Sequence, residues 1–194
     1  KGYEAFLNGI VALANHDYKK ASSETRVVNK YFKDDSLSLF LKSETLKIEK
    51  KFDELNTVYE KMIENKNTSL LGIRGLMEQY LRNEDYHHAL IYGERLFLVN
   101  PRIEKLYSTL INIIGKTQNW QKLIQINESS VRQGIIDRKT FNQNQSIAYY
   151  EIARIKYLGD IDESIKLIDK AVKLRGNFPP YISFYIDLLI RNNN

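Results

Sequence analysis

The stretch Asn83-Glu84-Asp85-Tyr86-His87-His88-Ala89 decides how the chain is read, because it is one copy of a unit that recurs. A polar turn is followed by a large aromatic residue at Tyr18, Phe52, Tyr86 and Trp120, each 34 residues after the last. Three positions on stand Ala21, Leu55, Ala89 and Leu123, in the same register. A fifth copy at Gly159-Asp160-Ile161 carries Ser164 at that place, and it lies 41 residues after Trp120, seven more than the repeat.

A sustained period of 34 is that of the tetratricopeptide repeat, in which each unit is a helix–turn–helix that cannot bury its apolar face alone. The expected fold is therefore all-α: a right-handed solenoid of helix pairs in one array. The repeats fall at approximately 2–35, 36–68, 70–103, 104–137 and 138–178, with a lone last helix over 180–191. Asp17 is placed to cap a helix, as are Asp35-Ser36 and the Asp160/Glu163 pair. Asn100-Pro101 reads as the cap and first position of the next helix. Gly134 reads as a helix end. Ala89 and Gly93 allow two backbones to approach closely, whereas Leu55 and Leu123 hold their pairs further apart. The seven extra residues lie between Asp137 and Ser146. They make either a longer first helix in repeat five, capped by Asp137, or an extended loop around Arg138–Asn142.

Composition supports a folded array of this kind. Apolar residues make up 43%, only three prolines occur among 194 residues, and there is no cysteine, which excludes disulfides and thiolate metal sites. The net charge of +5, from 29 basic and 24 acidic residues, is too mild to mark a nucleic-acid protein by itself. No run approaches the roughly 18 apolar residues of a membrane span. The sequence starts at Lys1 and stops at Asn194 just after an apolar stretch. It reads as part of something longer at both ends.

Several strings resemble one group of tetratricopeptide proteins. Gly2-Tyr3-Glu4-Ala5-Phe6-Leu7-Asn8-Gly9 is similar to the start of the cytosolic part of the HemY family. Leu71-Gly72-Ile73-Arg74-Gly75-Leu76 resembles that family's most recognisable string, whose usual form has Leu in third place; Asn119-Trp120 and Phe178-Pro179 fit in order and spacing. The resemblance implies a bacterial inner-membrane protein, anchored by segments before Lys1, with its repeats facing the cytoplasm. It also implies a non-catalytic scaffold or haem-handling partner of late haem-biosynthesis enzymes. The chain departs from the family in its richness in Lys, Asn and Ile and in a weak fourth repeat.

Catalysis would need convergent groups, and few are available. The imidazoles are His16, His87 and His88, all in turns or first helical turns. They are the candidate axial ligands if haem binds. Adjacent helical residues point about 100° apart, so His87 and His88 do not chelate one metal together. No zinc-hydrolase, phosphate-loop or nucleotide motif occurs. Tyr18, Tyr59, Tyr80, Tyr86 and Tyr107 fall at repeat core positions, and Tyr3, Tyr149 and Tyr157 on exposed ones.

The first helices of the pairs are expected to line the concave side. The candidate groove is apolar at Tyr3, Phe6, Ile10, Leu13, Leu37 and Phe40. It is basic further on, at Arg74, Arg82, Lys105, Lys116 and Lys156, with Tyr149 among them. Such a groove would take protein partners with an acidic segment or propionates beside an apolar one. The competing reading pairs Arg74 and Arg82 with Glu78 along a single helix. A chaperone-type carboxylate clamp is disfavoured, because Phe6, Ile10, Leu41, Leu71 and Gly75 at the corresponding places offer no side-chain donor. RNA reading by one repeat per base is disfavoured too, because the Asp-Tyr turn is of the protein-binding type. A general peptide-binding adaptor unrelated to haem remains the alternative function.

Overall fold

The computed structural model describes residues 1–192 and contains, among them, eleven helices joined by short turns. Contacts group the chain into two compact units, divided after Asn100. Unit 1 holds α1 (Gly2–Ala14), α2 (Tyr18–Tyr31), α3 (Ser36–Glu49), α4 (Phe52–Glu64), α5 (Ser69–Arg82) and α6 (Tyr86–Val99). Unit 2 holds α7 (Leu106–Thr117), α8 (Trp120–Arg132), α9 (Arg138–Lys156), α10 (Ile161–Arg175) and α11 (Pro179–Asn192). Within each unit consecutive helices pack on one another, and α1 also meets α3. Among the described residues no helix is long and apolar enough to cross a membrane.

The 34-residue register is built into the turns. Tyr18, Phe52, Tyr86 and Trp120 are the first residues of α2, α4, α6 and α8. Two positions before each stands a non-glycine residue with positive φ: His16 (58°), Lys50 (57°), Glu84 (57°) and Gln118 (53°). The following amide then reaches back five positions to close the preceding helix. Asp17 donates to the Ala12 carbonyl (2.8 Å), Lys51 to Leu46 (3.1 Å), Asp85 to Tyr80 (2.9 Å) and Asn119 to Ile114 (3.3 Å). This is the Schellman closure. The same residue that closes one helix starts the next. Asp17, Asp85 and Asn119 each accept the amide three residues on, from Lys20, His88 and Lys122. Such a link leaves no slack, so the period is held even where the side chains differ.

Packing follows the small-residue pattern. Ala21, Leu55, Ala89, Leu123 and Ser164 are all buried. The pairs with alanine, α1/α2 and α5/α6, pack more closely than α3/α4 and α7/α8, where leucine holds the backbones apart. Ser164 adds a hydrogen bond from its hydroxyl to the Ala153 carbonyl of α9 (2.8 Å). In unit 1 the main cluster is Leu39, Leu46, Leu55, Val58, Tyr59, Met62 and Leu76, and a smaller one joins Ala5, Val28 and Leu41. In unit 2 the cluster is Ala153, Leu167, Ile168, Ala171, Tyr181 and Leu188. Each fully buried Leu or Met contributes about 1.5–3 kcal/mol.

The seven extra residues lengthen α9 to 19 residues, capped by Asp137, which accepts from the Thr140 amide at 2.7 Å. Polar groups hold its added turns. Asn127 of α8, fully buried, donates to the Phe141 carbonyl (2.9 Å) and to Gln145 Oε1 (2.8 Å) and accepts from the Tyr107 hydroxyl (2.9 Å). Asn144 donates to that hydroxyl in turn (2.8 Å). Gly134, at φ 66°, closes α8 with Ile135 donating to the Ser130 carbonyl (2.9 Å).

Two local expectations need correction. Asn100-Pro101 does not open a helix: turns fill 101–105, with Lys105 left-handed (φ 62°) and Arg102 donating to the Gln133 carbonyl (2.7 Å), and α7 starts at Leu106. Tyr18 is not a core residue. It is the first residue of its helix, is exposed, and its hydroxyl lies 3.0 Å from His16 Nδ1.

Candidate functional site

Two clefts are formed by first helices of neighbouring pairs, one in each unit. The cleft of unit 1 has a volume of about 270 Å³. Phe40 on α3 and Leu71 on α5 face it, over a floor of Tyr59 and Met62 from α4. Its rim is charged but neutralised along each helix. Lys47 Nζ meets Glu44 Oε1 at 2.9 Å, and Arg74 Nε meets Glu78 Oε1 at 2.8 Å. Burial works against the Lys47 charge, but the Glu44 carboxylate outweighs it and raises the ammonium's pKa above its ordinary value. Burial pushes the Tyr59 phenol up, so it remains a neutral floor group.

Glycine shapes this cleft. A Cβ on Gly75 would lie 2.3 Å from the Tyr59 ring, and one on Gly72 would lie 2.6 Å from the Tyr59 carbonyl oxygen. Both glycines of the Leu71–Leu76 string therefore serve the approach of α5 to α4.

The cleft of unit 2, about 480 Å³, has aromatic and aliphatic walls. Trp120 begins α8, Ile155 comes from α9, Tyr157 follows α9 and Phe184 comes from α11. Gly115 and Gln118 form its α7 side. Tyr157 and Phe184 meet edge to face at 6.1 Å, and Ile155 is 63% exposed. Arg154 lines the cleft, 3.3 Å from Glu151 Oε2, and the Arg191 guanidinium lies 5.6 Å above the Tyr157 ring. A Cβ on Gly115 would meet nothing within 4 Å.

The groove residues read from sequence are distributed unevenly over these surfaces. Phe40 and Arg74 are walls of the first cleft. Phe6, Ile10 and Leu13 are half-buried against Ala5, Val28 and Leu41, and Leu37 is half-buried on α3. Tyr3 is 69% exposed with its ring against Phe32 at 4.8 Å. Arg74 pairs with Glu78, but Arg82 does not join them: its guanidinium stacks 4.2 Å above Phe52. Lys105 lies in the turn before α7, 4.0 Å from Glu104, so it is on no helix face. Lys116 and Lys156 are exposed on α7 and α9. Tyr149 is half-buried beneath Lys170, whose Nζ is 5.4 Å from its ring, and Tyr157 is half-buried too. The cleft residues of α9 are Glu151, Arg154 and Ile155 rather than Tyr149.

The histidines stand apart from both clefts. His16 holds the left-handed turn position. His88 Nδ1 is 2.7 Å from Asp85 Oδ2, and its ring stacks on Tyr80 at 5.0 Å, while His87 is exposed beside it. Among the described residues no group of three or more His, Asp or Glu could hold a metal ion. The residues missed from sequence are mainly Tyr59, Met62 and Trp120, which looked like core positions, and Phe184, which was not singled out. The acid–base pairs spaced three or four apart on α3, α5 and α9 were the available signal.

Net charge also separates the units. Residues 1–100 carry 15 basic and 15 acidic side chains, and residues 101–194 carry 14 and 9, so the whole excess of +5 belongs to the second.

No protein-family model and no curated protein sequence matches the chain. Its backbone is similar to the crystal structure of MamA protein, with a TM-score of 0.56 and 16% identity over 89% of this chain and 91% of that one. It also aligns with TTC0263, a thermophilic TPR protein of Thermus thermophilus, at a TM-score of 0.47 and 13% identity over 98% and 100% of the two chains. With the 34-residue register and its repeated turn, the fold is an all-α one of tetratricopeptide helix pairs.

Proposed function

We propose that the chain is a non-catalytic scaffold that holds protein partners, and that unit 1 takes one partner segment in its cleft. The observation that carries this is the cleft's construction. Two apolar side chains, Leu71 (45% exposed) and the half-buried Phe40, stand over an aromatic and thioether floor, inside a rim whose charges are already paired. Such a surface favours a segment with a large apolar side chain and little net charge, since a charged one would have to break Glu44–Lys47 or Arg74–Glu78. The test is capture of partners from membranes by the full-length protein carrying Leu71→Glu, with folding checked by circular dichroism. Loss of the partners seen with the unaltered protein supports the reading; unchanged capture by a folded variant removes the cleft from it.

The resemblance to the HemY family supplies the finer reading: partners among late haem-biosynthesis enzymes, met at the cytoplasmic face of a bacterial inner membrane. Both glycines of the Leu71–Leu76 string are accounted for by packing against α4. The identity of the captured partner therefore decides the matter. Recovery of a ferrochelatase-type enzyme supports the haem link, and a mixed chaperone set supports a general peptide adaptor.

A further inference from the structure

We infer that the outer face of unit 1 binds a second copy of this chain through two stripes of opposite charge, set at the same repeat positions on successive second helices. On α2 the solvent side carries Lys19, Ser23, Arg26 and Lys30, whose spacing of i, i+4, i+7 and i+11 is one face of a helix. On α4 the residues 34 places on are Asp53, Thr57, Glu60 and Glu64. All six charged side chains are exposed, and among the described residues none of them takes part in an ion pair. The acid of α2, Glu24, is half-buried at the side of its stripe, and the base of α4, Lys61, is held by Asp34 at 3.0 Å. The acidic stripe faces away from the cleft of unit 1, because the opposite side of α4 supplies the cleft floor, Tyr59 and Met62. The inference is therefore independent of the reading built on that cleft.

Like charges at close helical spacing mark the stripes out. Arg26 and Lys30, and likewise Glu60 and Glu64, stand four apart and repel, which works against an isolated helix. Elsewhere the chain puts opposite charges at that spacing: Arg74 with Glu78 at 2.8 Å and Asp169 with Lys173 at 2.6 Å. Counting from Ile161 as from Tyr18, the equivalent face of α10 is Asp162, Lys166, Asp169 and Lys173, and there the signs alternate. On α2 and α4 each face instead holds one sign, so its complement comes from outside. A second copy supplies both complements at once. With a two-fold axis running along the helices, between α2 and α4, α2 of each copy lies over α4 of the other in the same direction. Lys19, Arg26 and Lys30 then meet Asp53, Glu60 and Glu64 of the other copy in register, with Ser23 over Thr57. An anionic membrane or a nucleic acid would suit α2, but the acidic stripe one repeat on would repel it.

The experiment is sedimentation velocity of the whole chain over a dilution series reaching the millimolar range, in about 50 mM and about 500 mM sodium chloride. Exposed ion pairs are weak one at a time, so a reversible dimer is expected at low salt, with its dissociation constant rising at least tenfold at high salt. Lys19→Glu, Arg26→Glu and Lys30→Glu together make both stripes acidic. Asp53→Lys, Glu60→Lys and Glu64→Lys together make both basic. Each triple variant, with folding checked by circular dichroism, should be monomeric throughout the series. An equimolar mixture of the two should dimerise again, because each presents the other with complementary stripes. Should either reversal unfold the chain, the neutral set Lys19→Gln, Arg26→Gln and Lys30→Gln should still weaken the dimer at least tenfold. A parent chain that stays monomeric at low salt overturns the inference, as does a dimer indifferent to salt or to both reversals, or a mixture of folded variants that stays monomeric. Flotation of a monomer with phosphatidylserine vesicles, lost on reversal of α2, would assign the basic stripe to a membrane and overturn it too. Leu71→Glu, placed in the cleft, should leave dimerisation unchanged, so this inference and the cleft reading fail separately.

Discussion

Gly75 and Gly115 each border a cleft, and their surroundings differ. Gly75 sits under the Tyr59 ring with no room for a methyl group, whereas Gly115 opens onto empty space. The cleft of unit 1 is thus a by-product of tight helix packing: removing a side chain lets α5 close on α4, and the groove is what remains above. The cleft of unit 2 is a gap left unfilled between first helices, with aromatic rings on its far side. The first is expensive to alter and electrically quiet. The second is cheap to alter and lies in a basic unit. Glycine alone does not mark a binding surface; what its missing Cβ would touch does.

The comparison can be broken most directly in the cores. Leu55→Ala removes a fully buried side chain from the largest cluster of unit 1 and should cost about 2–5 kcal/mol, read from urea unfolding. A cost below about 1 kcal/mol would mean that α4 can collapse and that unit 1 is not tightly packed. Next in size is Gly72→Ala, whose methyl would press on backbone atoms of α4 and should cost about 1–3 kcal/mol. Gly115→Ala has the opposite sign: in an open helical position it should raise stability by about 0.5–1 kcal/mol. If both substitutions move the unfolding midpoint in one direction, the contrast between the glycines is wrong.

The smallest effect concerns acid. The His88 amide and imidazole hold the Asp85 carboxyl below its ordinary range, and the Thr140 amide and hydroxyl do the same for Asp137. A depressed folded pKa gives stability that is present above the unfolded value and lost as the pH falls through the folded one. Both caps therefore weaken below roughly pH 4 and contribute steadily above it. Asn caps as well as Asp but does not titrate. Asp85→Asn and Asp137→Asn should each flatten the acid limb of a melting-temperature profile and leave it unchanged near neutrality. A profile as steep in the double variant as in the parent would refute this.

The starts of the second helices could be read from Tyr18, Phe52, Tyr86 and Trp120 because a periodic register averages over many residues. The Ala–Leu alternation likewise foretold which pairs pack closely. The left-handed turn could not be read, because four different residue types, none of them glycine, occupy it. The start of α7 was misread because Asn-Pro is a good helix opening on local grounds, and the Arg102 contact to Gln133 is a tertiary one. The clefts were only half legible. Side chains that end up on Phe52 or Glu104 look no different in sequence from those that line a groove.

The buried amides between α8 and α9 have a thermal consequence. Exposing apolar surface raises heat capacity, and exposing polar surface lowers it. Parting Asn127 from Gln145 and from the Phe141 carbonyl exposes mostly polar surface, whereas opening the cluster around Leu55 and Met62 exposes mostly hydrocarbon. Hydrophobic cohesion fades on cooling, but an amide-to-amide seam has little of it to lose. The seam between α8 and α9 should therefore loosen less in the cold than the packing of α4 on its neighbours.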